Sequence, residues 1–211
     1  MFPRRLFIAA CAGVSLPPTR ALAATVPQKL IVPLCIRVAE CDGKPVRTDG
    51  WVQDHVAAAQ MIFAPHAIGL NYTMAPFAPS RCELLTRDDR SAMVTHVVSR
   101  TEVNVLVVAR VRDLDVPSYD LQGVHWRAQG ADPARHWVFL TARAAPPVLA
   151  HELCHFFGLP HDPAGGNLMT PGPSSPVWQS PRPPKPFEPR LTHVQASRLR
   201  RGVAAWRAHE R

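Results

Sequence analysis

The C-terminal third of this 211-residue chain contains the run His151-Glu152-Leu153-Cys154-His155-Phe156-Phe157-Gly158-Leu159-Pro160-His161. Residues at i and i+4 share one face of a helix, so His151 and His155 can reach a single metal ion. Glu152 lies about 100° around the helix axis and borders the same face. Gly158 can adopt a positive φ that ends the helix, which brings His161 back as a third ligand.

Three neutral imidazoles leave the fourth position of a zinc ion (Zn²⁺) open to water, which is typical of a catalytic site and not of a closed structural one. The bland alternative is that these are ordinary histidines. It requires five fixed identities to coincide, and composition gives that a chance of about 10⁻⁴ or lower. Zinc polarises a carbonyl group and acidifies water, while Glu152 can remove the water proton and deliver it to a leaving amine. The run therefore predicts peptide-bond hydrolysis with one zinc ion.

The same run matches the pattern H-E-x-x-H-x-x-G-x-x-H, and the chain resembles the metzincin family of zinc peptidases. Asn167-Leu168-Met169 further along is similar to the Met-turn of that family. The resemblance implies that Met169 packs beneath the histidines as an apolar floor and does not bind the metal. It also implies a protein or peptide substrate that pairs in extended form with an edge strand of the sheet.

The resemblance implies an α+β fold with a mixed, mainly parallel five-stranded sheet, an antiparallel edge strand, an active-site helix, a Met-turn and a C-terminal helix. Periodicity along the chain agrees with this order. The predicted strands are Leu30–Val38, Leu70–Phe77, Val103–Val111, Gly123–Ala128 and His136–Ala142. We expect Val103–Val111 to be the central strand and Gly123–Ala128 to be the edge strand that binds substrate.

Four helices are predicted from apolar spacing and from capping residues. The first carries the stripe Val52, Val56, Ala59 and Phe63 and ends at Pro65; the second begins at Thr86, has Met93, Val94 and Val97 on its apolar side and runs to about Val98. The third is opened by Pro146 and Pro147, which the first turn tolerates, and runs to about Phe157. The last spans Leu191–Ala208, with Val194, Leu199, Val203 and Trp206 as candidate buried positions.

The sequence predicts an export signal over residues 1–23, followed by a single catalytic domain over residues 24–211. Within that domain, residues 160–189 contain ten prolines and are predicted to form a long, stiffened loop. The length allows one globular domain with a sizeable core. A monomer is favoured.

Arg4 and Arg5, an apolar stretch and the A-x-A site Ala21-Leu22-Ala23 together predict export to the periplasm or the medium. The arginine pair resembles a twin-arginine signal, and the ordinary secretory route stays equally open. The box around Cys11 resembles that of a lipoprotein but stands too close to Arg5. The apolar stretch is too short to span a membrane.

Several departures from the metzincin pattern leave the subfamily unassigned. Thr170 and Pro171 follow the turn methionine, and Tyr72 and Tyr119 are the only tyrosines, so a tyrosine that touches the metal is not expected. Asp162, directly after the third histidine, resembles the adamalysin pattern. Glycine-rich calcium repeats are absent from the sequence.

Four cysteines follow the predicted signal, namely Cys35, Cys41, Cys82 and Cys154. Exported proteins commonly form disulfides, so one or two bonds are expected, and all three complete pairings stay open. Cys154 lies beside the metal-binding face of its helix. A disulfide or a buried thiol is therefore favoured over a zinc ligand at this position.

The formal net charge is +8, and removal of Arg4, Arg5 and Arg20 with the signal leaves +5. Residues 182–211 alone carry +6, which is typical of a solvated face and could also attract an anionic partner. Nucleic acid is not the expected partner, because few aromatic residues interrupt the basic positions. The main rival to the enzyme is a non-catalytic, zinc-bound interaction domain, although such a domain has no use for Glu152.

Overall fold

The computed structural model of the chain describes residues 28–93, 99–127, 136–175, 180 and 182–209, so the predicted signal lies outside the described residues. In chain order the elements are β1 (Leu30–Cys41), β2 (Lys44–Pro45), α1 (Asp49–Phe63), β3 (Ile68–Phe77), β4 (Glu83–Leu84), α2 (Arg87–Met93), β5 (Val103–Val108), β6 (Arg110–Arg112), β7 (Asp120–Leu121), β8 (Gly123–Arg127), β9 (His136–Thr141), α3 (Val148–Phe156) and α4 (His193–His209). Among these residues no helix combines the length and the apolar character needed to cross a membrane.

Five strands form the main sheet in the order β3-β1-β5-β9-β8. The first four run parallel, and β8 runs antiparallel to β9. The short β2 pairs with the end of β1. These findings confirm the predicted α+β class, the mainly parallel sheet and the antiparallel edge at Gly123–Ala128, of which Ala128 lies outside the described residues.

Side chains of the central strand alternate between the two faces of the sheet, as strand geometry requires. Val105 and Val107 of β5 belong to the larger core, which also contains apolar residues of α1, α3 and α4. Leu106 and Val108 belong to a second core on the other side, shared with α2, β6 and β8. A sheet covered on both faces explains why five of the six residues of β5 are apolar, four of them valines.

The predicted extent of the central strand, Val103–Val111, is wrong. The strand β5 ends at Val108, and β6 pairs with β4 and β7 in a separate three-stranded sheet. Across that small sheet the Arg110 guanidinium lies 2.8 Å from the Asp120 carboxylate. Val111 is fully buried in the second core, so the hydrophobic run continues although the strand has changed sheets.

The helix α1 ends at Phe63, next to the predicted end at Pro65; its start was not predicted. The Thr48 hydroxyl accepts a hydrogen bond from the Trp51 amide at the first turn, and a bond of this kind satisfies an otherwise unpaired N–H group. The predicted stripe, Val52, Val56, Ala59 and Phe63, is buried against the sheet.

The start of α2 at Thr86 is also confirmed. The Asp89 amide donates to the Thr86 hydroxyl (3.1 Å), and the Thr86 amide donates to the Asp89 carboxylate (2.9 Å), a reciprocal cap. Met93 is buried as expected. Val94 and Val97, predicted on the same side, lie outside the described residues.

The C-terminal helix is confirmed, but one of its predicted core residues is wrong. Leu199 and Val203 are fully buried, and Trp206 is partly buried against the end of α3. Val194 is 74% exposed. It lies about 140° around the helix axis from Leu199, and Ala196 takes the inward position instead.

The Pro-rich segment, residues 160–189, contains no helix and no named strand among its described residues, as predicted. A single bridge joins Gly165 to Lys185, and the Leu168 amide donates to the Arg190 carbonyl (2.7 Å). On α4 the Arg200 guanidinium donates to the His66 carbonyl (2.7 Å), so one residue of the basic C-terminal segment has a structural role.

The structure selects one pairing among the four cysteines. Cys41, at the end of β1, forms a disulfide with Cys82, just before β4. Cys35 and Cys154 are free thiols, and both are buried. The prediction that Cys154 is a disulfide or a buried thiol is confirmed in its second form. Burial raises the pKa of this thiol above its usual value.

Candidate metal centre and active site

The helix α3 and the turn after it bring three imidazoles together. His151 and His155 lie one turn apart on α3, which ends where Gly158 adopts a φ of +88°. That conformation is disfavoured for residues with a Cβ, so the glycine permits the turn that returns His161 to the helix. The Nε2 atom of His155 lies 3.0 Å from that of His151 and 3.1 Å from that of His161. The remaining Nε2 pair, His151 and His161, is 3.3 Å apart.

The spacing of these nitrogens fits zinc. Zinc–nitrogen bonds of about 2.0–2.1 Å at tetrahedral angles place two ligand nitrogens about 3.3 Å apart. Within the described part of the chain, no other group of three histidine, cysteine, aspartate or glutamate side chains converges in this way. Three imidazoles suit zinc by donor type and leave a fourth position open.

Two carbonyl groups fix the orientation of the ligands on α3. The Nδ1 of His151 lies 2.6 Å from the Leu168 carbonyl, and the Nδ1 of His155 lies 2.7 Å from the Leu159 carbonyl. A carbonyl can only accept, so each Nδ1 carries the proton and each Nε2 presents its lone pair to the centre. Burial lowers the pKa of His151 to about 3 and that of His155 to about 4, so both imidazoles are neutral.

The Met-turn supplies one of these carbonyl groups. Leu168 and Met169 are fully buried in the larger core. The Asp162 amide donates to the Met169 carbonyl (2.8 Å), which ties the residue after the third ligand to the turn. Contact between the Met169 side chain and the imidazoles stays a prediction.

The buried side-chain amide of Asn167 holds the Met-turn in place, a role that was not predicted. The Asn167 side chain donates to the Asp162 carboxylate (2.7 Å) and accepts from the Met169 amide (2.8 Å). The Gln195 side chain of α4 donates to the side-chain oxygen Oδ1 of Asn167 (2.9 Å). Asn167 stands in the turn motif and could have been suspected, but nothing in the sequence points to Gln195.

Glu152 lies on α3 beside the ligands and faces the edge strand β8. It is 6% exposed, and burial raises the pKa of its carboxyl group to about 8. A hydrogen bond from the His125 backbone amide acts in the opposite direction and stabilises the carboxylate. The three predicted ligands, His151, His155 and His161, thus converge, and Glu152 follows His151 on the same helix with its side chain against β8.

A second pair of histidines lies near this end of α3 and was not predicted. The His125 Nε2 on β8 lies 2.6 Å from the His136 Nδ1 on β9. The His136 ring stacks on Phe156 with 3.7 Å between ring centroids. Burial lowers the pKa of His125 to about 3 and that of His136 to about 4. Cross-strand register alone could have placed these side chains on one face, but not in contact.

Solved structures of zinc peptidases resemble this architecture. Mature mirolysin from Tannerella forsythia, solved with a cleaved peptide, is 10% identical over 86% of this chain and 96% of its own, with a TM-score of 0.61. Archaemetzincin from Methanopyrus kandleri is 16% identical over 85% of this chain and 99% of its own, with a TM-score of 0.54.

Metalloproteinase-II from Bacteroides fragilis is 14% identical over 83% of this chain, with a TM-score of 0.53, and the match spans 54% of that longer protein. No protein-family model and no curated protein sequence matches this chain. At these identities the likeness establishes architecture and not activity. The chain has the fold of the metzincin-type zinc peptidases.

Proposed function

We propose that this chain is a zinc-dependent endopeptidase that acts outside the cytoplasm and uses Glu152 as its general base. The observation that carries the proposal is the convergence of three imidazoles, with Nε2 atoms 3.0–3.3 Å apart, on the helix and turn that also carry Glu152. A purely structural zinc site would have no use for Glu152 at this place.

One zinc ion held by His151, His155 and His161 would polarise the scissile carbonyl and lower the pKa of water. Glu152 then has two tasks: it takes the proton from the attacking water and passes it to the leaving amine. Its raised pKa, caused by burial, suits a group that must both accept and return a proton near neutral pH.

The free edge of β8 supports the proposed site for an extended substrate. The Thr141 amide donates to the Gln122 carbonyl (2.9 Å), which makes these two residues a hydrogen-bonded pair. Such pairs alternate along an antiparallel ladder, so Gly123, His125 and Arg127 turn their backbone groups away from β9. Among the described residues no strand pairs with that edge. A substrate strand could pair there beside Glu152.

Two features support action outside the cytoplasm. Residues 1–23 have the arginine pair, apolar stretch and A-x-A site of an export signal. The disulfide between Cys41 and Cys82 suits an oxidising compartment, because cytosolic proteins seldom keep such bonds.

The test uses protein recovered after export, with metal analysis and a library of unstructured peptides. We expect one zinc per chain, cuts within the peptides, loss of metal and cleavage on treatment with a strong chelator, and recovery on return of zinc. Cuts confined to peptide ends would contradict the endopeptidase. Protein that holds zinc but cleaves no peptide would favour the non-catalytic interaction domain.

A further inference from the structure

Gly123, at the start of the edge strand β8, stands against the helix that carries the site. A Cβ at this position would lie 2.6 Å from the Val148 Cγ1, 2.8 Å from the Glu152 Cγ and 3.1 Å from the Glu152 Oε1. Contacts under 3.0 Å are not tolerated, so something would have to move. Gly123 is not among the glycines with positive φ. Space, and not backbone conformation, is what requires glycine here.

Val148 and Glu152 are one turn apart on α3, so both lie on the helix face that β8 covers. A Cβ at position 123 would meet both side chains, and on Glu152 it would meet the Cγ and a carboxylate oxygen. The absence of a side chain at Gly123 therefore sets how closely the Glu152 side chain can lie against the strand.

We infer that Gly123 is a positioning residue: its lack of a side chain lets the Glu152 carboxylate lie against β8. The inference rests on the proposed role of Glu152 as general base. It adds that the strand proposed to bind substrate also sets the position of Glu152, so a substrate strand paired with β8 would have a fixed position relative to the base. A methyl group at position 123 would shift Glu152 relative to that strand.

The experiment compares Gly123→Ala, Val148→Ala and the double variant. Val148→Ala removes one of the two close contacts, so the double variant should fold while the methyl group still meets Glu152. We expect zinc content near one per chain throughout. We expect kcat to fall about tenfold or more in both variants that carry the alanine at position 123, with KM changed far less. Val148→Ala alone should keep kcat near that of the parent.

Gly69→Ala serves as the matched control. A Cβ at Gly69, on the opposite edge strand β3, would lie 2.8 Å from both the Ile31 Cδ1 and the Lys29 Cε. This variant has a comparable steric conflict in an edge strand away from Glu152. It should lower thermal stability without lowering kcat, which separates general strain from displacement of the base.

A crystal structure of the double variant gives a readout that does not depend on activity. We expect the Glu152 carboxylate to be displaced away from β8. An unmoved Glu152 together with an unchanged kcat would overturn the inference. If the parent cleaves no peptide, the proposed function fails, and the position of Glu152 in the variant still decides the inference.

Discussion

Substitution of Glu152 and substitution of a histidine remove different parts of the proposed site. Glu152→Gln keeps three imidazoles for zinc but cannot accept a proton, so we expect full zinc occupancy and a kcat lower by about 10²- to 10⁴-fold. His155→Ala removes a ligand whose Nε2 lies within 3.1 Å of both partners, so zinc should be lost together with cleavage. Metal analysis and a peptide-cleavage assay on the same preparations distinguish the two variants.

Each of the two variants also serves as the control for the other. Both should lose activity, but only His155→Ala should lose metal. A Glu152→Gln enzyme that retains zinc and cleaves at the parental rate would exclude Glu152 as the base. Zinc retained in full by His155→Ala would show that the metal is held elsewhere.

Asn167 offers a test of the amide that holds the Met-turn. Asn167→Ala leaves the Met169 amide without its acceptor and removes the shorter of two bonds from the Gln195 side chain, and a buried donor left unpaired costs about 1–3 kcal/mol. Because the turn carries the carbonyl that orients His151, zinc affinity should fall about 10- to 100-fold. Competition with a chromogenic chelator measures that affinity.

Asn104 provides the matched control for this substitution. It lies at the start of β5 and is also buried, and its side chain is bonded to the backbone of Ser99. Asn104→Ala should lower the melting temperature and leave zinc affinity unchanged. If both alanine variants bind zinc as tightly as the parent, the Met-turn does not orient the ligand.

Local periodicity was enough to predict that the two helical histidines share one face. The groups that orient them could not be predicted, because those contacts are tertiary. The helix period fixes His151 and His155 on one face from sequence alone. The contact between Asn167 and Gln195 joins residues 28 positions apart, and no local rule relates them. The stacking of His136 on Phe156 similarly depends on how β9 meets α3.

At the scale of elements, the disulfide joins the main sheet to the small one. Cys41 ends β1 and Cys82 precedes β4, with a sequence separation of 41. A bond closing a loop of this length restricts the unfolded chain, so replacement of both cysteines by alanine should lower the free energy of unfolding by about 2–4 kcal/mol. Denaturant unfolding monitored by tryptophan fluorescence measures the change. Zinc content and kcat should be unchanged.

Cys35→Ala is the control for that experiment. Cys35 is a buried free thiol, so its loss creates a small cavity without opening a loop. Alkylation of the denatured, unreduced protein should label Cys35 and Cys154 and leave the other pair unlabelled. Labelling of Cys41 and Cys82 under those conditions would contradict the assigned pairing.

Elements with a clear apolar period were predicted closely, and the errors lie at the end of β5 and at one position of α4. The stripe on α1 and the cap of α2 follow directly from residue spacing. The continuous run from Val103 hid the passage from β5 to β6, since Val108 and Val111 are equally buried. Val194 is apolar yet exposed, because the phase of α4 is set by Leu199 and Val203.

At the scale of the whole molecule, the mainly parallel sheet with its antiparallel edge strand was expected from the resemblance, whereas the full strand order was not predicted. Periodicity gives the number and length of strands, whereas the order β3-β1-β5-β9-β8 depends on long-range pairing. The small sheet and the second core were not predicted. Their strands are two or three residues long, too short to show a period.

The proposed export is open to a direct test. If the twin-arginine route is used, Arg4→Lys combined with Arg5→Lys should trap the precursor inside the cell. Cell fractionation with an antibody against the folded part of the chain measures the outcome. Unchanged export of that variant would assign the ordinary secretory route. Parent protein that stays inside the cell at full length would contradict export by either route.

Zinc should also stabilise the molecule as a whole, because its ligands join α3 to the Pro-rich segment that follows it. A ligand that binds only the folded state adds about 2.7 kcal/mol at a free concentration one hundred times its Kd. For a domain of this size that corresponds to a rise in Tm of about 5–10 °C. Chelated parent and His155→Ala should therefore melt together at the lower temperature, and Glu152→Gln should melt with the zinc-loaded parent. Calorimetry with and without a chelator measures these values. An unchanged Tm after proven removal of the metal would contradict this prediction, because it would mean that zinc does not bind the folded chain in preference to the unfolded one.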